Sequence, residues 1–193
     1  IRQRHIFRQG VIKSDGCERG TMEILDLYDR ERNLTGETII RGEPVPPERY
    51  HVVIHICIFN QKGEMLIQHR SPKKANWGGL WDLSVGGAAR TGDKSWQCAQ
   101  RELKEELGIE LDFRKIRPSL TVNFPVGFDD FYLLNLEPRL SDLTLQTDEV
   151  LAVKWADEPV ILAMIEREEF LQYHPSLIKT LFAMRQSMGT LVK

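Results

Sequence analysis

The segment from Gly87 to Ile109 decides the fold, and it reads GAARTGDKSWQCAQRELKEELGI. Its second half predicts a helix over residues 95–107, because apolar residues recur there at the four-residue step of one helix face. Gly108 follows, and glycine commonly ends a helix because it adopts the left-handed conformation without strain. The apolar residues of the repeat are Ala99, Leu103 and Leu107.

Three carboxylates share another side of the predicted helix. Glu102, Glu105 and Glu106 are spaced three and four residues apart or adjacent, so they project from one side of its last turns. Like charges this close repel, and a hard divalent cation with oxygen ligands relieves the repulsion. Magnesium is the natural candidate, with manganese as a substitute. Taken alone, this heptapeptide also agrees with a solvated amphipathic helix.

The residues around the carboxylates favour the metal site. The segment resembles the Nudix box, G-x5-E-x7-R-E-U-x-E-E-x-G-U with U aliphatic, at every fixed position except Asp93. The chain is therefore similar to the Nudix hydrolase superfamily over about residues 22–170. The resemblance implies an α/β/α sandwich with a loop–helix–loop metal site. It also implies attack of water on phosphorus in a small, nucleoside-type diphosphate compound.

The resemblance assigns roles to the box residues. Glu105 and Glu106 would be metal ligands, Glu102 a further ligand or the base, and Arg101 the group that orients these carboxylates. Gly87 would supply a tight turn that lets loop and helix pack closely. These roles agree with the chemistry, because a metal ion lowers the pKa of its bound water and a carboxylate then accepts the proton.

Asp93 is the one departure from the box, since the pattern has Glu at this position. The shorter side chain keeps the charge and loses one methylene of reach. We expect it to support the metal site indirectly.

The rest of the chain predicts strands and helices that intersperse without strict alternation. Such an order indicates an α/β fold with a mixed sheet flanked by helices. We predict a hairpin within 22–41, a second hairpin from 51–59 and 64–69, and a short strand at 82–85. Further strands are predicted at 120–124, 131–136 and 150–155, and further helices at 159–168 and 175–188.

Length and composition place limits on the function. The 193 residues predict one domain over 22–193, preceded by a non-native or flexible extension over 1–21. The net charge of −2 and short apolar runs argue against a nucleic-acid polymer or a membrane as partner. Three scattered cysteines predict no disulfide framework and favour the cytoplasm. A homodimer stays open.

Basic and aromatic residues before the box are candidates for substrate binding. Arg70 and Lys74 are our predicted partners of the diphosphate, because such a group needs cationic side chains. Exposed basic residues of this kind are also common as solvated surface. Trp77 and Trp81 are suited to stack on a base, and a packing role is equally compatible with their positions.

Two histidines and two aspartates outside the box are auxiliary candidates. His51 and His55 share one face of a predicted strand, as a two-histidine metal site would require, but structural roles are favoured. Asp129 and Asp130 precede an apolar run. Either Asp130 or its neighbour is placed to act on the attacking water, and a turn role explains the pair equally well.

Residues 51–87 resemble most the Nudix branch that includes isopentenyl-diphosphate isomerase. Isomerisation is therefore the alternative to hydrolysis, and a catalytically silent nucleotide-binding domain is a third hypothesis. The isomerase pattern carries a cysteine and a histidine metal ligand where this chain has Gly86 and Ala88. Only His51 matches another of its metal-binding histidines. Because neither replacement transfers a proton or binds a metal, we favour hydrolysis.

Overall fold

A computed structural model describes residues 22–186. The predicted extension at 1–21 lies outside the described residues. The strands are β1 (Ile24–Tyr28), β2 (Leu34–Ile40), β3 (His51–Phe59), β4 (Met65–Arg70), β5 (Trp81–Asp82), β6 (Val85–Ala88), β7 (Leu120–Phe124), β8 (Gly127–Asn135) and β9 (Val150–Ala156). The helices are α1 (Ser95–Leu107), α2 (Glu158–Glu166) and α3 (Pro175–Met184).

The main sheet is mixed, as predicted. β3 runs parallel to β8 and antiparallel to β6, and β4 is antiparallel to β9 and β5. Alternate residues of β3 therefore point to opposite faces of the sheet. Ile54 and Ile56 pack in the core that includes α1, whereas Cys57 and Phe59 pack in the core that includes α2 and α3. This arrangement is an α/β/α sandwich.

The first hairpin forms a separate two-stranded sheet. β1 and β2 pair from Ile24 opposite Ile40 to Tyr28 opposite Leu34, which confirms the predicted hairpin. Its buried side chains pack on Ala88 of β6.

The predicted second hairpin is correct only at its closed end. The turn closes through a hydrogen bond from the Gly63 amide to the Asn60 carbonyl, and Phe59 pairs with Met65. Beyond this pair the strands diverge, because β3 takes β6 and β8 as partners while β4 takes β9 and β5. Ser84 lies in the fork between them. Its hydroxyl accepts from the Ile58 amide at 2.8 Å and donates to the Leu66 carbonyl at 2.5 Å.

The predicted strand at 82–85 is wrong in its bounds. The structure has two short strands, β5 and β6, separated by Leu83 and Ser84. The chain changes partner at this point, from β4 to β3, because the fork separates the two long strands. Gly86 and Gly87 consequently lie inside β6, with Gly87 opposite Ile54.

Helix α1 has the predicted bounds, and Gly108 ends it with φ of 72° and a hydrogen bond from its backbone amide to the Lys104 carbonyl. The apolar residues of α1 are fully buried against the sheet. This packing places the acidic side of α1 beside β6. Helices α2 and α3 each have a proline in the first turn, where the missing amide hydrogen costs nothing. The helix predicted to reach residue 188 ends at Met184 within the described residues. None of the helices between residues 22 and 186 has both the length and the apolar character needed to cross a membrane.

The hydrogen bonds of the Ser84 hydroxyl lead to a prediction about the stability of the protein. Replacement of Ser84 by Ala leaves the buried amide of Ile58 without its partner, so we expect a loss of about 1–3 kcal/mol in the free energy of unfolding. Urea denaturation measures the change, with Ser141→Ala as an exposed serine control. Equal stability of the two variants would show that the fork does not depend on this hydroxyl.

Candidate active site

The carboxylates of α1 differ sharply in their surroundings. Glu102 and Glu106 are 8% and 2% exposed, whereas Glu105 lies at the surface. Glu102 points toward β6, and Glu106 accepts a hydrogen bond of 3.0 Å from the Gln68 Nε2 of β4. The helix therefore presents two buried carboxylates to the sheet and a third at the rim.

Arg101 connects the carboxylates. Its Nη1 donates to Glu102 at 2.7 Å and to Glu105 at 3.2 Å, and its Nη2 donates to Asp93 at 3.1 Å. A further contact of 3.3 Å reaches the Ala88 carbonyl at the end of β6. Asp93, although shorter than the glutamate of the box pattern, thus reaches the same guanidinium as the glutamates.

The absence of a side chain at Gly87 leaves room for the Glu102 carboxylate. A β-carbon built on Gly87 would lie 2.3 Å from both the Glu102 carboxyl carbon and its Oε1. The expected tight turn is wrong, because Gly87 lies in β6 and not in a turn. Helix and strand approach each other closely at Gly87, and this approach requires the absence of a side chain.

Burial dominates the electrostatics of the two inner carboxylates. The pKa of Glu106 is raised to about 8, chiefly by burial and also by the nearby charge of Glu102, while Lys74 and the hydrogen bond from Gln68 oppose the shift. Burial also raises the pKa of Glu102 against the opposing effect of Arg101. Both carboxylates therefore bind protons more tightly than in water, and each would gain from a cation placed beside it.

The donor set suits a hard divalent cation. Three carboxylates lie on adjacent turns of α1, and the buried Oε1 of Gln68 has no hydrogen-bond partner within residues 22–186. Such oxygen ligands are those that magnesium prefers. As they stand, no three His, Cys, Asp or Glu side chains of the described residues form a group ready to hold a metal ion. Two of the three carboxylates, Glu102 and Glu105, are paired with the Arg101 guanidinium.

The two predicted substrate-binding residues have different surroundings. Lys74 forms an ion pair with Glu149, and its charge acts on Glu106, so it lies on the acidic side of α1. Arg70 is only 11% exposed, and its guanidinium donates to Asp82 at 2.9 Å and to the Asn76 carbonyl at 3.1 Å. The structure thus places Lys74 near the carboxylates, while Arg70 holds the loop that carries Lys74.

The two tryptophans of this loop are also dissimilar. Trp77 is 64% exposed and has a left-handed backbone with φ of 55°. Trp81 is partly buried, stacks on His69 at 4.9 Å, and carries the Lys154 ammonium 4.2 Å from its ring centre. The surroundings of Trp81 favour packing, and only the ring of Trp77 is open to a ligand.

His51 and His55 lie on the sheet face opposite α1. His51 packs edge-on against Phe124, and its Nδ1 has no partner in the described chain. His55 lies 3.1 Å from Asp129 through its Nε2 and stacks on Phe131. Burial opposes the charged imidazolium of His55, but Asp129 outweighs burial and raises its pKa. The histidines and the three box glutamates occupy different faces of the sheet.

Asp130 is buried and fully engaged. It accepts hydrogen bonds from Arg32 at 3.0 Å, from the Ser95 hydroxyl at 2.5 Å and from the Thr121 hydroxyl at 2.6 Å. Burial alone would raise the pKa of Asp130, but these donors lower it. Its surroundings are those of a structural anion, which leaves little capacity to act on water.

Sequence reasoning missed Gln68 and Glu149. Gln68 falls inside an apolar strand, where a polar residue among buried neighbours is a detectable signal. Glu149 precedes β9 and carries no local motif, because its contact with Lys74 joins loops that are distant in the sequence.

Fold and box together define the class of protein. A family model for the NUDIX domain matches residues 49–175, and the chain belongs to this family. An uncharacterised Nudix hydrolase of Listeria innocua is 44% identical over 152 residues, which cover 79% of this chain and 90% of the relative. The crystal structure of a Deinococcus radiodurans protein shares the fold, with a TM-score of 0.69 and 24% identity. That match covers 82% of this chain and 99% of the other.

Similarity to the isomerase branch is present and weaker. An isopentenyl-diphosphate delta-isomerase of Klebsiella pneumoniae is 28% identical over 120 residues, covering 60% of this chain and 65% of the relative. The structure adds a steric observation at Gly86, where the isomerase pattern has cysteine. A β-carbon there would lie 3.1 Å from the His55 Nδ1, so His55 occupies part of the space that a cysteine needs.

The raised pKa of Glu106 predicts a pH-dependent stability of chelated protein. Below the ordinary pKa of 4.5 the Glu106 carboxyl is neutral in the folded and in the unfolded chain, so it does not lower the free energy of unfolding. As pH rises toward 8, the unfolded chain releases the proton and the folded chain retains it, so stability falls through this window. We expect the melting temperature in EDTA to be lower at pH 8.5 than at pH 6.5.

Glu106→Gln is the matched comparison, because it removes the titrating group and keeps the shape. The melting temperature of this variant should fall less over the same pH interval. Magnesium at pH 8.5 should raise the melting temperature of the unmodified chain. Parallel profiles for the two proteins would contradict the assignment of this proton to Glu106.

Proposed function

We propose that this chain is a magnesium-dependent hydrolase, with manganese as a substitute, that cleaves the pyrophosphate linkage of a small nucleoside diphosphate derivative. The observation that carries the proposal is the pair of buried carboxylates, Glu102 and Glu106, held between α1 and the sheet. Glu102 is paired with Arg101, whereas no ion pair within residues 22–186 offsets the cost of burying an ionised Glu106, and a bound cation would offset that cost. Family membership supports the same conclusion, since Nudix hydrolases generally use divalent metal ions.

Each box residue has a proposed task. Glu105 and Glu106 hold the cation, and Arg101 fixes the direction of Glu102 and Glu105 through its hydrogen bonds. When bound, the cation neutralises phosphate charge and lowers the pKa of water. Glu102 accepts the proton as the water oxygen bonds to phosphorus and the bridging P–O bond breaks. Its raised pKa makes Glu102 a stronger base than an exposed glutamate.

The loop between β4 and β5 supplies the substrate side of the site. Lys74 offsets charge on the diphosphate, and its ion pair with Glu149 positions the ammonium group. Arg70 acts in our proposal by holding the loop to Asp82, although direct contact with the diphosphate stays a prediction. A loop fixed by buried contacts keeps its cation oriented before substrate binds.

Compartment and assembly are further parts of the proposal. Cys57 and Cys98 are buried free thiols, which supports a reducing compartment such as the cytoplasm. A homodimer stays a prediction.

Loss of a metal-binding carboxylate should abolish hydrolysis. We expect Glu105→Gln and Glu106→Gln each to lower kcat/KM at least ~100-fold, above the ~10–100-fold typical of losing an outer-shell partner. The assay follows phosphate products from nucleoside diphosphate sugars, ADP-ribose, dinucleotides and diphosphate alcohols with magnesium. Glu166→Gln, on the surface of α2, is the control for charge.

The same assay separates the alternatives. Unchanged activity of Glu106→Gln would refute the metal assignment. Binding of these compounds without turnover by the unmodified chain would favour the silent nucleotide-binding domain.

Isomerisation of isopentenyl diphosphate is not expected. Gly86 and Ala88 supply neither an acid nor a metal ligand at the places where the isomerase pattern has them. In deuterated water with magnesium, we expect no deuterium in recovered isopentenyl diphosphate and no allylic isomer. Either product at a catalytic rate would reverse the choice between hydrolase and isomerase.

A further inference from the structure

A hollow of about 620 Å³ opens at the amino end of α1, away from the three glutamates. Its walls come from the turn between β1 and β2, the start of α1, residues 114–118 and strands β7 and β8. An α-helix rises 1.5 Å per residue, so Ser95 and Glu105 lie about 15 Å apart along the axis. The hollow is therefore separate from the carboxylate site, and its volume is in the range of small-molecule sites.

The floor of the hollow is a built polar network. Asp130 is fully buried and accepts from three side chains that also line the hollow, Arg32, Ser95 and Thr121. The Ser95 hydroxyl also lies 2.8 Å from the hydroxyl of Tyr132. The turn between β1 and β2, the start of α1 and the neighbouring strands β7 and β8 are thus tied together at this one point. Such a network keeps the surrounding side chains in fixed positions.

Arg32 projects its charge into the hollow from an unusual backbone. Its φ is 65°, a left-handed conformation that glycine or asparagine adopts at lower cost. Its guanidinium makes a two-pronged ion pair with Asp130 and remains one-third exposed. Because one Asp130 charge is balanced by one Arg32 charge, the floor is neutral overall.

The rim carries positive charge that the protein leaves uncompensated. Lys94 and Arg117 are exposed and line the hollow, and neither forms an ion pair with any described residue. Arg114 also lines it and pairs with Asp112. Lys94 occupies the N-cap of α1, where the helix dipole disfavours a cation and favours an anion. An anionic ligand would be attracted by both cations and by the helix end.

An aromatic ring completes the hollow. Trp96 is half-buried and lines both this hollow and a neighbouring one of about 450 Å³. Tryptophan offers a flat surface on which planar rings such as nucleobases stack. Cations on the rim and a tryptophan in the wall match the two halves of a nucleotide.

We propose that the hollow formed by Arg32, Lys94, Trp96 and Arg117 binds a mononucleotide, with the phosphate at the cations and the base at Trp96. This site is separate from the proposed hydrolytic site and does not depend on it. A free nucleotide and the end of an RNA share this chemistry, and the small size of the hollow favours the free nucleotide.

AMP is the probe, because it has no phosphoanhydride bond and cannot be a substrate for pyrophosphate hydrolysis. Equilibrium dialysis of the full chain in EDTA measures its dissociation constant, independently of any metal or turnover. We expect AMP to bind, and Lys94→Gln/Arg117→Gln to weaken binding at least ~10-fold. Trp96→Leu should weaken it at least ~5-fold, the equivalent of ~1 kcal/mol of stacking.

Two variants serve as controls. Lys115→Gln removes an exposed cation beside the hollow that does not line it, and it should bind AMP as the unmodified chain does. Glu106→Gln should also retain AMP binding, even if it loses hydrolysis. Arg32 is left unchanged because its loss would strand the buried charge of Asp130. Circular dichroism and thermal melts confirm that each variant is folded.

The outcomes are distinct. Absence of AMP binding, or equal binding by the double variant and Lys115→Gln, overturns the proposal. Full retention of binding by Trp96→Leu, with equal competition by inorganic phosphate, overturns the nucleotide as ligand. An RNA oligonucleotide that binds more tightly than AMP and displaces it at 0.15 M salt, a roughly physiological ionic strength, overturns the choice of a free nucleotide. Loss of AMP binding in Glu106→Gln overturns the separation of the two sites.

Discussion

The close approach of the Glu102 carboxylate to Gly87, which leaves no room for a side chain there, is the constraint on which the site depends. A helix meets a strand here, and a methyl group on Gly87 would lie only 2.3 Å from the carboxyl carbon of Glu102, well inside van der Waals contact. Glu102 is thereby buried, and it requires a counter-charge. Arg101 provides it, and the same guanidinium reaches Asp93 on the loop before the helix. Strand, loop and helix are fixed relative to one another by one cation.

One turn further along α1, the surroundings of Glu106 are the opposite of those of Glu102. Glu106 is buried and has no ion pair within residues 22–186; it accepts a hydrogen bond from Gln68, and the charge of Lys74 on a neighbouring loop acts on it. Burial of such a group lowers the stability of the metal-free protein at high pH. Proteins accept costs of this kind at functional sites, where a ligand compensates them. The same helix therefore has one carboxylate neutralised by the protein and one that a cation would neutralise.

The two ends of α1 have opposite electrostatic character. Acidic residues occupy its last turns, whereas Lys94 and nearby arginines surround its first turn. This distribution opposes the helix dipole at both ends, since the dipole favours anions at the amino end and cations at the carboxyl end. Ligands of opposite charge, a metal ion at one end and a phosphate at the other, would each relieve part of the unfavourable interaction.

Local pattern determined much of this structure. The periodicity of 95–107 and Gly108 predicted the bounds of α1, and the interspersion of short strands and helices without strict alternation predicted an α/β fold with a mixed sheet. These features depend on neighbours three or four residues away, which a sequence displays directly. The resemblance to the Nudix box predicted the family for the same reason, because the spacing of its residues is local.

Only the tertiary structure decided which side chains from different segments of the chain come into contact. It placed Gly87 inside a strand, opened the second predicted hairpin at Ser84, and saturated Asp130 with donors from the β1–β2 turn, α1 and β7. It also brought Lys74 toward Glu106. Each of these outcomes depends on strand pairing and loop closure over tens of residues, where sequence periodicity carries no information about partners. Charge balance at the site is therefore a property of the fold.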